Sequence, residues 1–291
     1  METDISRLEA DFAVVGLPHG VPYDEAGAAT TTAQAPQAVR ERSERYGAFR
    51  SHHDFDTGGE MLPGHVRVVD VGDSVSQPGD GPGNGVRGTE VVKAILGRGA
   101  VPIVLGGDDS TPPFAIRAYE NHGPVTVVQV DAHIDFRDEV RGVRDGFSSP
   151  MRRAAEMPWV EKVVHVGIRG VGSARREELD ATLNRGNAVV TAREVHTSGV
   201  TVALRHVPPG GDYYVAVDVD GFDPSVMPGT AALAPGGLTY QHGLELLTGL
   251  QERGRIVGLG FAEFYPDRDV NGLTALSIVR LAVIAMAAAG R

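Results

Sequence analysis

Val125-Thr-Val-Val-Gln-Val130 runs straight into Asp131-Ala-His133-Ile-Asp135-Phe-Arg-Asp138. The first six residues, preceded by Gly123-Pro124, have the β-branched, apolar character of a buried strand. The next eight carry three carboxylates and a histidine. A strand this apolar does not end that way unless something holds those groups. Alternation along an extended chain puts residues 131, 133 and 135 on one side, so three ligand-type side chains point at one place. Oxygen donors with one imidazole suit Mn²⁺ or a similar divalent ion better than a thiolate-seeking metal. A solvated strand end with a capping Asp is the alternative for this stretch alone.

A second stretch repeats the pattern. Tyr213-Tyr-Val-Ala-Val217 reads as a strand and leads into Asp218-Val-Asp220-Gly-Phe-Asp223-Pro224. Asp218 and Asp220 lie two apart and are expected to share a face. Two parallel strands ending in paired carboxylates would bring those groups together at the carboxyl edge, where open α/β sheets bind ligands. Carboxylates so placed repel one another without a cation. A binuclear site, with ions roughly 3.5–4 Å apart, would relieve that repulsion. Two unrelated polar strand ends remain the competing reading at this point.

The rest of the chain supplies the frame. Strands are expected at Asp11–Pro18, Val66–Val71, Val101–Leu105, Val163–Gly167, Ala188–Val190 and Ile256–Phe261. Helices are expected at Pro36–Tyr46, opened by a proline, at Thr89–Gly97, after Thr111-Pro112, and at Ser173–Asn184, Tyr240–Arg253 and Gly272–Ala289. Between them, Gln77–Gly85 has the composition of a loop, and a Gly-rich loop after the first strand holds His19, Tyr23 and Asp24. Strand–helix alternation of this kind predicts a three-layer α-β-α fold with a mostly parallel sheet of about eight strands, in a single domain over residues 1–291.

Composition excludes several classes. The 291 residues include no cysteine, which removes disulfides and thiolate ligands, and 38 acidic against 27 basic residues give a net charge of −11. That balance argues against a nucleic-acid partner and mildly favours a cationic ligand. No apolar run reaches the roughly 18 residues of a membrane span, and the first residues carry no secretory pattern. A cytoplasmic setting is therefore expected.

Gly106-Gly-Asp-Asp109-Ser110, Asp131-Ala-His133-Ile-Asp135, and Asp218-Val-Asp220-Gly-Phe-Asp-Pro224 with Pro228-Gly-Thr230 and Pro235-Gly-Gly-Leu238 come in the order and spacing of the arginase/agmatinase (ureohydrolase) family. The chain resembles that family over most of its length, its agmatinase branch above all. The resemblance implies two Mn²⁺ ions, with Asp131 and Asp218 bridging them. Asp109 and Asp135 would complete one site, and His133 and Asp220 the other. It also implies catalytic roles for Asp135 and Glu263. A hydroxide between the ions would attack the guanidinium carbon of a linear guanidino compound, agmatine or a guanidino acid such as guanidinobutyrate, and release urea and an amine. Glu263, in Glu263-Phe-Tyr-Pro266, matches the carboxylate that grips the guanidinium. A homo-oligomer, trimer or hexamer, is the usual state of relatives.

Three positions depart from the pattern. Asp109 stands where the family has a metal-ligating histidine. Five Asp (109, 131, 135, 218, 220) against two divalent ions leave −1, where four would leave zero, and extra negative charge raises the pKa of water bound there. In Asp145-Gly-Phe147-Ser-Ser-Pro150-Met-Arg-Arg153, Phe147 replaces a histidine near the substrate and cannot carry a proton. Ala29-Thr-Thr-Thr-Ala33 falls where relatives often have arginines. Arg137, two past Asp135, is expected either to meet a carboxylate tail on the substrate or to pair with Asp138 or Glu139. The alternatives are a formimino or other amidine hydrolase, and a silent metal-binding homologue that assembles with an active partner. The remaining histidines, including His52-His53, show no ligand spacing.

Overall fold

The computed structural model describes residues 4–23, 31–172 and 174–290. Eight strands make one sheet: β1 (Phe12–Leu17), β2 (Val68–Asp73), β3 (Val101–Gly106), β4 (Val125–Val130), β5 (Val160–Ile168), β6 (Ala188–Thr191), β7 (Asp212–Asp218) and β8 (Arg255–Ala262). Their spatial order is β2-β1-β3-β8-β7-β4-β5-β6, and every neighbouring pair is parallel. His53–Asp54 and Gly59–Glu60 form a separate antiparallel pair.

Helices α1 (Ala35–Gly47), α2 (Gly81–Gly97), α3 (Pro112–Arg117), α4 (Pro150–Ala155), α5 (Arg176–Asn184), α6 (Ala192–Ser198), α7 (Thr201–Leu204), α8 (Tyr240–Arg253) and α9 (Leu273–Ala289) connect and cover the strands. The sheet is buried on both faces. In β4, Val128 and Val130 pack into the core shared with α1, α8 and α9, while Val125 and Val127 pack into the one shared with α2, α3 and α4. β7 divides in the same way, with Tyr213, Val215 and Val217 on the first side and Tyr214 and Ala216 on the second. Burial on both faces is why these strands read as unbroken apolar runs.

Two expectations need correction. The stretch from Gln77 to Gly85 is not all loop, because α2 starts at Gly81 rather than Thr89. Asp80 caps it, its side chain accepting from the Gly83 N–H, and a proline lies in the first turn. A Cβ on Gly85 would sit 2.5 Å from the Phe114 ring, so this glycine serves close packing rather than a turn. The second correction concerns the extended alternation read at the two strand ends. β4 stops at Val130, and Asp218 is followed at once by a 3-10 turn over Val219–Gly221. Helix α5 begins at Arg176, and Ser173, like Asp24, Ala29 and Thr30, lies outside the described residues.

Candidate metal and substrate site

β3, β8, β7 and β4 are consecutive at the centre of the sheet, and each delivers part of one site to its carboxyl edge. Asp109 follows β3, Glu263 follows β8, Asp218 closes β7 and Asp131 follows β4. The register sets Ala262 opposite Asp218 and Val217 opposite Val130, so Glu263, Asp218 and Asp131 emerge at one level. Beyond the strands, bends do what the pleat does not. Asp135 turns back at φ +39°, and Glu263 sits at φ +59° with its N–H on the Gly107 carbonyl at 2.9 Å. Non-glycine residues seldom adopt such angles, and sites of function are where they collect.

The result is two donor groups that share a residue. Asp131, His133 and Asp220 make one, and Asp109, Asp131, Asp135 and Asp218 make the other; within each, the ligand atoms lie within 4.8 Å of one another. Asp131 is common to both, while Asp218 joins only the second. His133 Nδ1 lies 3.2 Å from Asp220 Oδ2 and 3.4 Å from Asp131 Oδ1. Backbone donors hold the carboxylates in place: His133 N–H on Asp131 at 2.6 Å, Ala132 N–H on Asp220 at 3.0 Å, and Asp220 N–H on Asp218 at 2.8 Å.

Electrostatics make this cluster costly without a cation. Burial, then the charge of neighbouring carboxylates, drives Asp109, Asp131 and Asp218 well above the usual carboxylate range. Asp135 is raised too, by burial first. Hydrogen bonds to Asp131 and Asp220 push His133 up to about 11. Asp109 is 3% exposed, and its Oδ2 has no hydrogen-bond partner. An orphaned carboxylate oxygen among buried carboxylates is what a metal ligand looks like without its ion. The donor chemistry fits two hard divalent cations.

A layer that the sequence reading missed supports Asp131. Gln129 Nε2 donates to Asp131 Oδ2 at 2.5 Å, and the Gln129 side-chain oxygen Oε1 meets His165 Nδ1. Burial pushes His165 down to about 3, so it is neutral; it donates from Nδ1 and accepts at Nε2 from Thr182 Oγ1, 3.0 Å away. Polar Gln129 and His165 inside otherwise apolar strands were the available signal. Arg169, just past the end of β5, is another residue the sequence reading missed. Its guanidinium donates to the carbonyls of Asp220, Gly221, Phe222 and Ala234, tying the turn of one ligand to a neighbouring loop.

Above the cluster is a cavity of about 200 Å³, lined in part by Phe147, Ser148, Ala231, Ala232, Glu263 and Tyr265. Glu263 accepts from the Asp109 N–H at 2.9 Å. Burial, then Asp108, pushes it up to about 8. Burial, then the charge of Glu263, raises the Tyr265 hydroxyl beside it. Phe147 does enter this cavity, as its place in the sequence predicts. Arg137 does not line it: its Nε is 3.1 Å from Glu178 on α5, a partner the sequence reading did not name. His133 is the one histidine in either donor group among the described residues.

Comparison with known proteins agrees with this geometry. Residues 11–288 match the Arginase family. The chain is 32% identical to a mitochondrial agmatinase of Gallus gallus over 286 residues, which cover 95% of this chain and 79% of the relative. It is 35% identical to a guanidinobutyrase of Pseudomonas aeruginosa over 188 residues, 62% of this chain and 58% of that one. Among solved structures, the proclavaminate amidino hydrolase of Streptomyces clavuligerus superposes with a TM-score of 0.86 at 27% identity, covering 99% of this chain and 95% of that one. Parallel sheet, carboxyl-edge cluster and near full-length match converge, and the chain belongs to the arginase family.

Proposed function

We propose that this protein is a metal-dependent amidinohydrolase that cleaves a linear guanidino compound to urea and an amine. The observation that carries the reading is the pair of buried donor groups joined at Asp131 beneath a cavity holding Glu263. The agmatinase and guanidinobutyrase similarities support the reaction class. Asp109, Asp131, His133, Asp135, Asp218 and Asp220 would hold two ions, and an oxygen-rich set with one imidazole favours Mn²⁺. Bound there, the ions would supply an activated water and a counter-charge for the negative charge that develops.

The chain's own groups do the rest. Glu263 fixes the planar guanidinium through parallel N–H bonds to its carboxylate, and the Asp109 N–H holds that carboxylate in place. Burial excludes water from the cluster, which strengthens each of these contacts. Asp135 would take the proton of the attacking water at a carboxylate oxygen and return it to the departing amine, since Phe147 has no proton to give. A homo-oligomer and a cytoplasmic setting belong to the same proposal, the first by the family resemblance. The test is urea release from agmatine and 4-guanidinobutyrate by Mn²⁺-reconstituted protein. Urea that disappears on chelation is expected. No urea from any guanidino compound, or release indifferent to chelator, would overturn the reading and favour a silent homologue.

A further inference from the structure

We propose that the far end of the substrate is uncharged and apolar, so that the preferred class is alkylguanidines rather than aminoalkyl- or carboxyalkylguanidines. This rests on the amidinohydrolase reading and names the substrate within it. With the guanidinium against Glu263, the tail must leave past Phe147, Ser148, Ala231, Ala232 and Tyr265. Among the described residues, every ionisable carboxylate or imidazole lining this cavity belongs to the donor cluster or is Glu263. No cation lines it. Arg137 pairs with Glu178 at 3.1 Å, and Arg169 is engaged by backbone carbonyls.

Phe147 forms the apolar part of this exit, and it is held in place. Its ring centroid is 4.5 Å from that of Tyr23. The Tyr23 hydroxyl accepts from the Ser148 N–H at 2.8 Å, which pins the second ring to the segment carrying the first. Gly146 makes the approach possible, since a Cβ there would lie 2.1 Å from the Tyr23 ring. Phe147 remains 39% exposed, leaving apolar surface for a ligand to cover. Each methylene buried against such surface is worth roughly a fourfold gain in affinity. A carboxylate drawn into the same exit loses hydration and meets no cation among the described residues lining it, and an ammonium loses hydration for carboxylates already committed to the donor cluster or to the guanidinium. A half-exposed ring attracts an ammonium only weakly, less than that hydration.

A matched set tests this: n-pentylguanidine, agmatine and 5-guanidinopentanoate share four methylenes and end in methyl, ammonium and carboxylate. Binding to the Mn²⁺-loaded protein is measured by calorimetry and turnover by urea release. The methyl compound should lead both others by about tenfold or more in affinity and in kcat/KM. Phe147→Asp should shift preference toward agmatine while metal content stays unchanged. Tighter binding of agmatine or 5-guanidinopentanoate by the wild type overturns the proposal, and urea release in that case leaves the amidinohydrolase reading standing. Pentylguanidine bound first but with no urea from any of the three supports the tail assignment and sinks the reaction. Failure to bind any of them overturns both.

Discussion

Asp109 changes the charge of the cluster, and its effect should be visible in a pH profile. A carboxylate in place of an imidazole leaves the metal-loaded cluster one unit more negative, which disfavours ionisation of water held there. The wild-type rate should therefore climb on the alkaline side of neutrality. Asp109→His should raise neutral-pH kcat/KM under saturating Mn²⁺ and move the rising limb toward lower pH; an unchanged limb in a folded variant would refute this origin. Glu263 is a separate case because its proposed contact is with the substrate. Glu263→Gln keeps the shape but loses the charge, and a charge-assisted pair is worth roughly 1.5–3 kcal/mol. A loss of about ten- to a hundredfold in kcat/KM is expected, with metal content intact. The convergence of several of these residues was legible in the sequence because ligand chemistry is carried by residue type and spacing. The pairing of Arg137 with Glu178 was not, since nothing local links a residue after β4 to one on α5.

At the scale of elements, the site exists because four consecutive central strands end at one level. Strand identity was readable from apolar runs, and so was the carboxyl-edge placement of the acids. The mode of convergence was not. Alternation suggested one face of an extended chain, whereas the structure uses a left-handed Asp135 and a 3-10 turn after Asp218. Helix α2 was hidden for a related reason: its glycines serve close packing against neighbours such as Phe114, a tertiary need that local composition reports as loop. Arg169 holds the Asp220 turn through backbone carbonyls, which makes it a positioning residue. Removing the donor leaves several carbonyls without it, at about 1–3 kcal/mol for each that stays buried and unsatisfied. Arg169→Met is accordingly expected to lower unfolding stability by roughly 3 kcal/mol and to weaken metal binding at the His133 and Asp220 group. Denaturant melts and metal titration of the variant check the two effects, and wild-type values in both would contradict the assignment.

The whole molecule carries an excess of acid, −11 overall, and part of it is concentrated in one buried cluster. Without metal, folding must keep protons on groups that release them when unfolded. Glu263 is raised from 4.5 to about 8 and His133 from 6.5 to about 11, so between about pH 6.5 and 8 the folded state holds more protons than the unfolded one. Stability then falls as pH rises. His19 and His165, lowered by burial to about 4 and about 3, act in the opposite direction, but only below about 6.5. Metal-free protein should lose thermal stability from pH 6.5 to 8, and Mn²⁺ should reduce the slope by binding the ionised ligands and releasing the His133 proton, leaving the part that Glu263 contributes. A flat metal-free profile would mean that the cluster is not strained. The most direct test of the account is elemental analysis of Asp131→Ala beside Asp220→Ala after reconstitution with Mn²⁺. Since Asp131 belongs to both donor groups and Asp220 to one, the first variant should lose both ions of a wild type that holds two, and the second should lose one. Two ions retained in folded Asp131→Ala would contradict a shared binuclear centre.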